Sequence, residues 1–174
     1  MRLSLLVVLI CLPLLAEEGS ATIAVNRLAT SGMDAGEGFA LTNALRTELG
    51  RTGTFQVMER SRMDEILKEQ GFQKSGACDD ASCAIEIGQL LAVKYMVLGS
   101  VGKVGKTYSL NIRLVDVGSG KIEREVSENH KGAKDELLTD VVPLAARKLA
   151  GTYREKRSPA PFLIGGGAVL AGGI

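Results

Sequence analysis

Between residues 22 and 153 the apolar positions change period repeatedly, and each change marks an element. Thr22 to Leu28 alternates, with Ile23 and Val25 on one face, as a strand does. Gly32, Gly36 and Gly38 loosen the following loop, where Asp34 is a candidate helix cap. Leu41, Ala44, Leu45 and Leu49 then recur at helical spacing, until the Gly50 to Gly53 region ends that helix. Thr54 to Met58 predicts a short strand with Phe55 and Val57 inward. Ser61 opens a second helix, with Asp64 three residues on as in a capping box. Met63, Ile66 and Leu67 form its apolar face, and Gly71 sits where a C-terminal stop belongs. A third helix starts near Asp79 or Asp80 and carries Cys83, Ile87, Leu90 and Leu91 along one side.

The second half of the pattern belongs to a sheet. Lys94 to Val101 holds a nearly continuous apolar run, of the kind buried on both faces. Tyr108, Leu110, Ile112 and Leu114 alternate strictly against Ser109, Asn111 and Arg113. "DVGSGKI" is a turn signal, and Ile122 to Ser127 returns as a third antiparallel strand. A last helix runs from about Asp135 to Tyr153, with Pro143 predicting a kink or break inside it. The order β-α-β-α-α-β-β-β-α predicts an α/β (α+β) fold, a single mixed sheet of about five strands with helices packed on it.

The two ends read differently. Met1-Arg2, the apolar run Leu3 to Leu15 and Ala16 before a polar boundary describe a signal peptide over residues 1–16. Leu14 makes the cleavage site imperfect, because a small residue is usual there. Cys11 is a candidate lipidation site, disfavoured by Ile10 before it; cleavage after Ala16 would remove it. Residues 154–161 read as a linker, and 162–174 as the start of a transmembrane segment, a glycine-rich apolar stretch shorter than a span. The basic residues ahead of it oppose that reading under the positive-inside rule.

Composition narrows the chemistry. Of 174 residues 45% are apolar and 24% charged, which excludes a disordered chain. A formal net charge of +1 and no Trp give no basis for a nucleic-acid partner. Gly105-Lys106-Thr107 matches the second half of a phosphate-binding loop, but its first glycine is out of register and an alternating strand follows instead of a helix. His130, the one histidine, lies in the polar connector "SENHKGAKDE" as a solvated loop residue. Glu59, Asp64 and Glu65 sit at the spacings of caps and solvated faces. No catalytic residue, metal site or cofactor is assigned, and the chain reads as a non-enzyme. Cys78 and Cys83 admit a disulfide, free thiols or a metal half-site; an exported chain left with two cysteines favours the disulfide, a local brace between the second and third helices.

Against this background "TFQVMERSRMDEILKEQGFQ" and "AIEIGQLLAVKYMVLGSVGKVGKTYSLNIRLVDVGSGKI" resemble the periplasmic domain of CsgG-like proteins, the curli assembly and transport relatives. Their fold is similar to the N-terminal domain of TolB. The shared pattern is a strand ending in E-R, a helix starting S-R-M, G-x-L-L-A entering an apolar strand, and R-L-V-D-V-x-x-G-K; it covers roughly Thr22 to Thr152. The resemblance implies a domain over residues 21–153 of an exported protein in the periplasm or cell envelope of a Gram-negative-type bacterium. It implies partners among other envelope proteins or further copies of the chain, with the C-terminal segment as a candidate membrane anchor. Secretion-channel members insert long hairpins to build a barrel. Here Gly102 to Lys106 and Gly118 to Gly120 leave no room for one, because each transmembrane strand needs about 9–11 residues. The expectation is therefore an assembly or interaction module without a pore. The alternatives are a curli-type outer-membrane secretion component, an activator of a peptidoglycan synthase and, remotely, a nucleotide binder through Gly105-Lys106-Thr107.

Overall fold

The structure, a computed structural model, describes residues 20–71 and 81–154. The segments assigned above to the signal, the linker after Arg154 and the apolar C-terminus lie outside those residues, as do Cys11 and Cys78.

One mixed sheet organises the chain. Its strands are β1 (Ala21–Val25), β2 (Ala29–Ser31), β3 (Phe55–Val57), β4 (Tyr95–Val104), β5 (Thr107–Asp116) and β6 (Ile122–Lys131). The order is β3-β1-β4-β5-β6, with β2 pairing β4 in line beyond β1. β1, β2 and β3 run parallel to their neighbours, while β4-β5-β6 is an antiparallel meander. The helices are α1 (Ala35–Arg51), α2 (Arg60–Glu69), α3 (Ala81–Leu90) and α4 (Val142–Ala150), the last preceded by a π-helical turn, Leu137–Val141. Pro143 falls in the first turn of α4, where its missing N–H is harmless, so the predicted break is a change of helix type.

The sheet has six strands, not five, because the first predicted strand is two. Continued alternation from Ile23 and Val25 would drive Arg27 into the core. Instead the chain steps out of register at Asn26–Leu28: Arg27 is exposed over the Phe39 ring, 5.4 Å from its centroid, and Leu28 joins the same cluster as Ile23 and Val25. The step leaves the Leu28 N–H without a strand partner. Thr42, fully buried on α1, accepts it through Oγ1 at 3.1 Å and donates to Gly38 O at 2.7 Å. Gly38, read from sequence as loop, lies inside α1, where a Cβ would come within 2.1 Å of Thr30 Cγ2. Thr42→Val keeps the shape but orphans a buried donor; a loss of about 1–3 kcal/mol is expected in denaturant melts, and Thr42→Ser should recover most of it.

Each sheet face carries its own core. Ile23, Val25, Val97, Val101, Tyr108, Leu110, Ile112, Leu114 and Val126 pack with α1 and α4. On the other side Ala24, Met96, Leu98, Val115 and Val117 pack with α2 and α3. The β4 run is buried on both faces, as its unbroken apolarity predicts. Asp34 caps α1 in a full capping box with Glu37. α2 departs from its prediction: Glu59 is its N-cap and supplies no side-chain bond, Ser61 is inside the helix, and Asp64 pairs with Arg60 at 2.9 Å.

Chain direction follows from the registers. β1 enters beside the start of β4, and the π-helical turn begins near the far end of β6, where Glu136 meets His130. α4 returns to the entry end, where Arg124 Nη1 donates to Leu149 O. The first and last described residues therefore share one end of the sheet, and the β4–β5 turn lies at the other.

Candidate interaction surfaces

The α2–α3 layer covers only part of its sheet face. On β5 the residues directed to that side are Ser109, Asn111 and Arg113 before Val115, with Val117 just beyond the strand, so apolar character begins where the helices do. Across the strands Ser100 faces Asn111, and Asn111 faces Ser127. Ser127 Oγ donates to Asn111 Oδ1 at 2.6 Å. A shallow depression among Ala29, Ser100, Asn111, Arg113 and Glu125 follows this polar strip. Among the described residues no helix lies on it. Its small hydroxyl and amide groups offer hydrogen-bond donors and acceptors at low entropic cost.

The second surface is the β4–β5 tip. Val104 and Thr107 pair across a two-residue turn whose first residue, Gly105, has φ +60°, the glycine-first arrangement of a II′ hairpin. Gly105-Lys106-Thr107 thus closes a hairpin and feeds a strand, so no helix N-terminus stands behind it to hold phosphates. Val104 is 84% exposed, well above any other large apolar residue described. Lys103 lies 5.3 Å over the Tyr108 ring. Nearby, Lys134 holds the Glu37 carboxyl below the usual carboxylate range, with the Asp34 N–H adding to the effect.

His130 is not a loop residue: it sits in β6 opposite Tyr108, half-buried, with Nε2 2.6 Å from Glu136 Oε2. The missed signal is length. β6 runs on to Lys131 at the sheet edge, where solvent removes the apolar alternation that would have shown it. Cys83 is half-buried on α3 against the second core. Glu59 stands at the N-cap position of α2 without a side-chain cap bond, and Glu65 pairs with Arg62 at 2.7 Å on its exposed face. Among the described residues no group of His, Cys, Asp and Glu is arranged to hold a metal, and no helix is long and apolar enough to cross a membrane.

The motifs that carried the resemblance have physical work in the fold. Gly88 of G-x-L-L-A seats α3 on the sheet, since a Cβ there would come within 2.4 Å of Val117 and 2.9 Å of Met96. In R-L-V-D-V-x-x-G-K, Asp116 Oδ1 accepts from Ser119 N at 2.7 Å and Ser119 Oγ at 2.8 Å, building the β5–β6 turn. Those bonds hold the Asp116 carboxyl below its ordinary value, so their contribution is present above the unfolded pKa and is lost as pH falls through the folded one.

The family described as curli production assembly/transport component CsgG matches residues 17–109, more than half of the chain. The chain belongs to the CsgG family. Among solved structures, this CsgG-family chain is similar to the C-terminal domain of LpoB from Salmonella enterica, at TM-score 0.56 and 18% identity over 66% of this chain and 84% of that one. The same domain from Escherichia coli gives TM-score 0.56 and 18% identity over 65% and 84%. Lipoprotein GNA1162 from Neisseria meningitidis gives TM-score 0.52 and 19% identity over 77% and 99%. At these identities the likeness is one of fold. No curated protein matches the sequence.

Proposed function

We propose that this CsgG-family chain is a non-enzymatic interaction module of the bacterial cell envelope, working by contact with another envelope protein or a further copy of itself and not as a pore. The observation that carries the reading is the pair of short closures on the meander. The β4–β5 turn is two residues and the β5–β6 turn spans only Val117–Lys121, so neither holds a hairpin long enough to cross a bilayer. The polar strip supplies a surface for contact. The export signal over 1–16, the Cys78–Cys83 disulfide and the candidate anchor at 162–174 belong to the same proposal.

Two measurements test it. A photo-crosslinking residue at Ser109 or Asn129 in cells should give one defined adduct, while the same residue at Glu123 should not; no adduct at either strip position would sink the reading. The full chain in planar bilayers should show no stepwise conductance, and channels would instead favour the secretion component. For the disulfide, the exported, denatured and unreduced protein should show no free thiol at Cys78 or Cys83; two reactive thiols would refute the brace.

A further inference from the structure

The β4–β5 tip brings together features that the polar strip does not explain. Val104 presents an isolated branched side chain to solvent at the turn. Lys106 follows in the turn, Lys131 stands opposite Thr107 at the end of β6, and Lys103 lies on the other face of the sheet, over Tyr108. Among the described residues none of the three stands in an ion pair. At the same end of the sheet Asp34 caps α1, Glu37 is engaged by Lys134 and Glu136 by His130.

We propose that this tip docks on an anionic lipid surface, with Val104 entering the interface and Lys103, Lys106 and Lys131 meeting headgroup phosphates. Charge complementarity selects the sign of the occupant. The manner of presentation selects its kind. The depression beside the turn is lined by Lys103, Gly105, Lys106, Tyr108, Lys131 and Gly132, so a peptide side chain would find no apolar wall but the Tyr108 ring. A lone apolar residue at a hairpin tip, with lysines on both faces of the sheet beside it, instead suits the boundary between headgroups and acyl chains. Each lysine near an anionic surface strengthens binding about fivefold, so the three together account for about a hundredfold, with one valine adding a modest part. The docking is reversible and peripheral, and stands independently of any protein partner on the strip.

The chain contains no Trp, which makes a single introduced one an unambiguous reporter. Full-length Val104→Trp should shift its emission to shorter wavelength on vesicles of phosphatidylglycerol and phosphatidylcholine, but not on phosphatidylcholine alone. Lys121→Trp, at the opposite end of the sheet, should stay unshifted, so binding through the apolar residues 3–15 or 162–174 is told apart from docking by the tip. Lys103→Gln, Lys106→Gln and Lys131→Gln combined in the Val104→Trp chain should weaken the anionic response about a hundredfold. Circular dichroism and an unchanged melting temperature check that these variants fold. No shift on anionic vesicles, an equal shift at Lys121→Trp, or full affinity in the triple variant overturns the proposal. A shift with a glutamate-rich peptide and none with vesicles would assign the tip to a protein and also overturn it.

Discussion

Leu45→Ala is expected to cost about 2–5 kcal/mol, lowering the melting temperature by roughly 10 °C. Leu45 is fully buried on α1, in the cluster where α1 and α4 meet over Ile23, Val25 and Val97. Truncation removes buried methyl groups and leaves a cavity between two helices. Their positions are fixed elsewhere, α1 by its capping box and by Gly38 against Thr30, α4 by Arg124 on Leu149 O. The site therefore collapses poorly, which places the loss toward the upper half of the range. Leu45→Met, of similar volume, should cost under about 1.5 kcal/mol. A melting temperature within 2 °C of wild type for Leu45→Ala would show that this core does not hold α1 on the sheet.

Gly99→Ala should cost about 3 kcal/mol through the opposite mechanism, overpacking. Gly99 lies mid-β4 opposite Ile112, and a Cβ there would be 2.2 Å from Asn111 O and 2.9 Å from Ile112 Cγ2. Asn111 O is backbone in the neighbouring strand, so relief requires β4 and β5 to part where both cores depend on their pairing. Amide exchange should quicken in β4 and β5 around residues 98–113 and much less in α2. Comparable stability with unchanged exchange would mean that the strands yield without separating. Gly102→Ala is the internal control, because its nearest neighbours lie at 3.8 Å or beyond.

The elements most legible in sequence were those whose burial obeys a simple period. Tyr108, Leu110, Ile112 and Leu114 alternate because one core takes every second residue of β5, and the β4 run is unbroken because two cores share it. The same rule hid the division of β1 from β2. Residues 22–28 alternate well enough to pass for one strand, and only the burial of Leu28 beside Ile23 and Val25 exposes the change of parity. The tail of β6, with His130, was lost for a related reason: at an edge with little core to face, composition follows solvent. The capping of α2 misled because Ser61 and Asp64 fit the motif by spacing, while the chain bends into the helix earlier, at Glu59.

The candidate surfaces were legible only in part. Gly102 to Lys106 reads as a tight turn, and Ser109, Asn111 and Arg113 read as the polar half of an alternation. Nothing in that alternation says whether a helix lies over the polar half, or that Val104 stands out at the turn. Both depend on where distant segments come to rest.

The shared location of the first and last described residues gives the domain the mechanics of a post. β4 alone spans ten residues, about 33 Å of extended chain, between that end and the hairpin tip. The sheet therefore keeps residues 20 and 154 one strand length from the β4–β5 tip, so anything bound at one end of the domain is held apart from anything bound at the other.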